Sequence, residues 1–347
     1  MRPMTALRTL AACFAAALLA LAGASTVWAH GTADVGPPDA AAFVFGWTFE
    51  PLVAIPLLVV ALAWIEAVRR VNAAHPANPV PRLRTVAFLG GLFAIAVALL
   101  SGIERYDTVL FSVHMVQHII LTLVAPPLIA LGAPITLLLR LARPQTRRRW
   151  ILPALHSRVV RALSFPVVAW VLFAGVMWAT HFSAVFDRAL EDPLVHDLEH
   201  ALFLGAGLLF WWPAVALDPA PWRMPHPARA LYVFLQMPQN TFLAVVLLNA
   251  PTALYAHYAT LARTWGPTPL ADQQAAAGIM WLAGDAIFLI AVMAIVLAWM
   301  RAESRDTGRM DRRAAAEMAD IRVREGLLAD RLAREREDGQ PGSGASR

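Results

Sequence analysis

The chain carries a series of apolar runs close to the roughly 20 residues that cross a bilayer as a helix, and these limit the fold more than any motif does. In hydrocarbon each backbone N–H and C=O must find its partner within the protein, so isolated runs of this length become helices. They fall at about 47–68, 85–102, 108–127, 163–182, 194–216, 230–249 and 275–300. Residues 128–141 are too short to cross again and read as a Pro-broken extension or an interfacial helix. Composition agrees, with 59% hydrophobic residues, 15% charged and a mean hydropathy of +0.56, outside the balance of a soluble domain. The expected fold is all-α: a polytopic transmembrane helix bundle of about seven spans after an N-terminal signal segment.

Residues 1–29 read as a signal peptide. Arg2 and Arg8 precede an apolar stretch at 10–22, and Val27-Trp28-Ala29 is a passable cleavage signature that would make His30 the mature N-terminus. An uncleaved first helix is the alternative. Residues 30–46 then form a short external segment, 47–300 the membrane domain, and 301–347 a cytoplasmic tail. The tail alternates Arg with Glu and Asp as a solvated helix and ends in a disordered Gly/Pro/Ser stretch. Cys13 is the one cysteine and lies in the signal segment, so a mature chain offers neither a disulfide nor a thiolate ligand.

The formal charge of +5 does not point to nucleic acid, because the arginines flank the apolar runs or lie in the tail. Loops after the first, third and fifth runs hold arginine, whereas those after the second and fourth hold Glu104, Asp107, Asp187, Glu191 and Asp192. The positive-inside rule therefore places the mature N-terminus outside and the C-terminus in the cytoplasm.

This orientation sorts the histidines. His75, His156 and His226 fall on the cytoplasmic side; His30, His114, His118, His181, His196, His200 and His257 fall on the outer side or in the outer half of a run. His114/His118 and His196/His200 are i, i+4 pairs, which puts both rings of a pair on one helix face. Counting inward at 1.5 Å per residue puts His118 roughly 15 Å deep and His200 about 10 Å deep, so the two pairs can meet at one level. Packing glue between spans is the bland alternative. Ionisable and polar groups at such depth are costly and suggest function, which also marks Asp285 and the Gln236-Met237-Pro238-Gln239-Asn240 patch.

Imidazole serves copper, zinc, iron and nickel, and a thioether such as Met177 tilts the choice toward Cu(I). Facing histidines also supply the two axial ligands of a b-type haem, the main competitor. Zincin chemistry fits poorly, because neither His-Met-Val-Gln-His nor His-Asp-Leu-Glu-His has Glu directly after the first His.

The motifs, taken together, resemble a family. His114-Met115-Val116-Gln117-His118 followed by Ala125-Pro126-Pro127-Leu128 and Leu131-Gly132-Ala133-Pro134 is similar to the signature of the multi-pass CtaG-type cytochrome c oxidase assembly proteins. His196-Asp197-Leu198-Glu199-His200 with Phe210-Trp211-Trp212-Pro213, and Asp272-Gln273-Gln274 with Gly278-Ile279-Met280-Trp281, resemble its later segments in the same order. The chain departs at 178–186, where His181 remains but the family's proline and tyrosine do not. The resemblance implies an assembly factor of the bacterial inner membrane that helps mature a haem-copper oxidase. Its expected partners are oxidase subunits, a copper chaperone and the lipid bilayer. The expected copper ligands are His114, His118, His196 and His200, with His181, Met177 and His30 as further ligands and Glu199, Asp285 and Gln117 orienting them. A membrane redox protein carrying haem and a purely structural scaffold are the alternatives.

Overall fold

A computed structural model describes residues 36–338; the expectations for the signal segment and for His30 lie outside the described residues. Every regular element described is helical. Six helices are long and apolar enough to cross a membrane: Pro51–Ala74, Arg82–Tyr106, Phe111–Leu141, Pro193–Val215, His226–Leu248 and Pro269–Leu332. A seventh, Pro166–His181, turns through a 68° bend into Val185–Glu191. Its 16 residues rise only about 24 Å, so it spans a ~30 Å hydrocarbon core only together with that bent continuation. The described residues thus form an all-α polytopic bundle of six to seven spans.

The third span is broken in a different place from the one its prolines suggest. Phe111–Ile119 is α-helical, Ile120–Val124 forms a wider π turn, and the helix continues through Pro126 and Pro127 to Gly132. Pro126 has no N–H to give the Thr122 carbonyl, and Trp211 Nε1–H donates to that oxygen instead, at 3.0 Å. Gly207 makes this approach possible: a Cβ there would lie 2.7 Å from the Pro126 ring and 2.8 Å from the Thr122 oxygen. The real break follows at Ala133, whose φ of 56° is left-handed and which restarts the chain as Pro134–Leu141.

Two helix starts in this span are capped from far along the chain. Asp272 accepts the Phe111 N–H at 2.7 Å and the Ser112 hydroxyl at 2.6 Å. Asp218 accepts the Thr136 N–H at 2.6 Å and the Ile135 N–H at 3.1 Å. Both carboxylates satisfy N–H groups that a helix start leaves open.

The described residues divide into two units between Met293 and Ala294, and the last helix, Pro269–Asp338, contributes to each. The first unit holds the core, with Phe111, Phe186, Phe203, Phe210, Trp211 and Phe288 among its fully buried side chains. The second is an exposed charged helix with i, i+3 and i, i+4 pairs such as Arg309–Asp306 at 3.4 Å and Arg324–Asp320 at 2.8 Å.

Candidate metal centre

Helical periodicity places His114 and His118 on one face of Phe111–Ile119, and His196, Glu199 and His200 on one face of Pro193–Val215. Both faces turn inward onto a single buried cluster. Ring centroids are 4.1 Å apart for His114 and His118, 4.3 Å for His196 and His200, and 5.5 Å for His114 and His196. Phe186 and Phe203 wall it off, with the Phe203 ring 4.1 Å from that of His118.

The cluster includes carboxylates whose role was not read from the sequence. Glu104 and Asp107 sit at the end of the second span, where they look like charges of an outer loop; in the fold both are buried. Their i, i+3 spacing just ahead of the first histidine pair was the available signal. Asp107 Oδ1 accepts the Thr108 N–H, and its Oδ2 lies 3.2 Å from His196 Nε2. Glu104 Oε2 accepts the Gln117 amide N–H at 2.6 Å.

The donor atoms outnumber the hydrogens available to join them. His114 Nε2 and His118 Nε2 lie 3.9 and 3.8 Å from Glu199 Oε2, too far for hydrogen bonds. Among the described residues none of the ring nitrogens of these two histidines, nor either Glu199 oxygen, has a hydrogen-bond partner. Buried polar atoms are rarely left so.

His196 Nε2 lies 2.9 Å from His200 Nε2, and His200 Nε2 lies 3.0 Å from Gln117 Oε1. Gln117 is held in that orientation because its amide nitrogen donates to Ala98 and Glu104. Each imidazole nitrogen carries at most one hydrogen. If both point at the flanking oxygens, the two nitrogens meet without an acceptor; in any other arrangement a lone pair faces an oxygen. A cation among these lone pairs removes the conflict, and ligand atoms about 3–4 Å apart suit metal bonds of about 2 Å. The residues therefore fit a metal.

Three sets offer one donor per residue with all atoms within 4.8 Å of one another: His114, His118 and Glu199; Asp107, His114 and His196; and Glu104, Asp107 and His200. His181 borders the cluster, its ring centroid 6.2 Å from that of His118. Its Nδ1–H donates to the Met177 carbonyl at 2.7 Å, which leaves the lone pair on a buried, unpartnered Nε2.

Met177 is placed elsewhere, lining a small cavity with Gln236, Gln239 and Asn240. Asp285 is also apart: it accepts from Asn240 Nδ2 at 3.0 Å and Thr241 Oγ1 at 2.6 Å, which supplies partners for the polar patch of the sixth span. His257 Nε2–H donates to the Thr108 carbonyl at 2.8 Å. Tyr258 O–H donates to the Asp107 carbonyl at 2.6 Å and Tyr255 O–H to that of His181 at 3.2 Å. Burial pushes both phenols well up, with nearby carboxylates adding to it, so both remain donors.

Residues 62–302 match the family described as cytochrome c oxidase caa3 assembly factor, Caa3_CtaG. The chain belongs to this family. Among its relatives, uncharacterised proteins of Mycobacterium bovis, Mycobacterium tuberculosis and Mycobacterium leprae are each 32% identical over 291 residues, covering 82% of this chain and 44% of theirs. The chain thus spans less than half the length of those curated relatives. No solved structure matches it. The caa3 assembly factor match covers every member of the cluster, from Glu104 to His200.

Proposed function

We propose that this assembly factor binds copper as cargo in the buried cluster and hands it to cytochrome c oxidase during maturation. The observation that carries the reading is the convergence of His114, His118 and Glu199 from two spans, with all their ring nitrogens and carboxylate oxygens unpartnered among the described residues. Imidazole and carboxylate without thiolate suit Cu(II) and other divalent first-row ions. The choice of copper among them rests on the oxidase named in the family description. Transferable cargo is better served by several separable ligands than by a closed thiolate cage. On this reading the cluster lies on the outer side of the bacterial inner membrane. A copper chaperone supplies the ion and oxidase subunits receive it.

The haem alternative has less support. Gln117 and His196 occupy the space in front of His200 Nε2, where a porphyrin disc would have to lie.

The test is to purify His118→Ala and Glu199→Gln proteins and to measure bound copper, the visible spectrum, and oxidase activity in cells carrying each variant. Both should hold less copper than the wild type and lose oxidase activity at normal protein abundance, while His75→Ala and His226→Ala change neither. A Soret band in the wild-type protein would favour haem. Normal oxidase copper in both cluster variants would leave the scaffold reading.

A further inference from the structure

The three donor sets overlap in a way that bears on how many ions the cluster takes. His114, His118 and Glu199 share no residue with Glu104, Asp107 and His200, whereas the set of Asp107, His114 and His196 borrows one from each. An ion in that middle set would strip a ligand from both neighbours. An ion in either disjoint set leaves the other complete.

Charge is compatible with the same count. Glu104, Asp107 and Glu199 are three buried carboxylates; Asp107 and Glu199 lie against histidines, and Glu104 accepts from the Gln117 amide. Buried charges persist when paired or metal-bound. One divalent ion leaves one of these three charges over, and two ions carry one positive charge more than the three carboxylates, so the balance admits a second ion.

The two disjoint sets also differ in chemistry. The first presents two imidazoles and one carboxylate; the second presents two carboxylates and one imidazole, a harder site that suits a divalent ion over Cu(I). Gln117 belongs to the second set's surroundings: its Oε1 lies 3.0 Å from His200 Nε2, and its amide donates to Glu104, as the outer partners of ligating carboxylates do.

We infer that the cluster is binuclear, with one ion on His114, His118 and Glu199 and a second divalent ion on Glu104, Asp107 and His200, and His196 standing between them. This rests on the metal-binding reading above and adds a site to it.

The experiment uses the full-length protein in detergent, stripped with chelator, reloaded with Cu(II) alone and washed. Metal per polypeptide is counted by mass spectrometry, and Cu(II) pairing is read by electron paramagnetic resonance. The wild type should hold two ions, with a signal weakened by coupling between them. Glu104→Gln with Asp107→Asn should hold one ion and give an uncoupled signal, and so should Glu199→Gln with His118→Ala. Because each double variant keeps one site, the retained ion reports that the bundle has folded. One ion in the wild type, lost in both double variants, overturns the binuclear inference and leaves a single shared site. No retained copper in the wild type overturns the inference and the proposed function together.

Discussion

At the scale of single residues, the histidine pairs are legible in the sequence because i, i+4 spacing on a helix fixes their face whatever surrounds it. Glu199 is legible for the same reason, lying between the two histidines of its pair. Glu104 and Asp107 are not, since a carboxylate looks alike at a loop and in a core, and only the fold sets them against Gln117 of the third span and His196 of the fifth. Asp285 and Met177 are polar or polarisable groups in apolar runs, and such a group needs a partner without the sequence saying which; theirs are on the sixth span and at its cavity. Gln117 carries the residue-scale prediction. It fixes Glu104 and His200 without being counted as a ligand, so Gln117→Leu should weaken copper binding about 10–100-fold with every ligand still present. A competition titration on purified protein checks this; unchanged affinity would show that Gln117 only packs.

At the scale of elements, Pro126-Pro127 signals a helix break, and the π turn is the reason it is not one. The turn redistributes the carbonyls that the prolines abandon, and Trp211 takes one of them from another helix. That rescue depends on two helices meeting, so it cannot be seen in the third span alone. The close approach at Gly207 should be intolerant of one added methyl. Gly207→Ala forces a Cβ to within 2.8 Å of the Thr122 oxygen and should cost about 1–3 kcal/mol by overpacking. A lower thermal midpoint in detergent, with copper retained at low temperature, is the expected result. No change in midpoint would mean that the helices separate there without cost.

At the scale of the whole molecule, the bundle is legible because its apolar runs are long. Every span begins near the residue the sequence expects, but the third runs on past Pro126 and Pro127 to Leu141, the last continues into the charged tail to Leu332, and the fourth is bent beyond His181. Orientation in the membrane follows from the arginines: a reporter fused after Arg149 should read cytoplasmic and one in the loop at 187–192 should read external. The reverse result would put the cluster on the side away from the proposed copper supply.

The cap that Asp272 places on the first histidine helix joins residues 161 positions apart. At about 5–20 residues per second, a ribosome delivers that carboxylate roughly 8–32 s after the helix it completes. During synthesis the first histidine pair therefore enters the membrane with its leading amides unsatisfied, and the final span is what finishes it. A chain stopped before residue 272 would carry all four paired histidines yet lack the carboxylate that caps the helix of the first pair, so the proposed metal capture would be a late event in the life of the nascent protein.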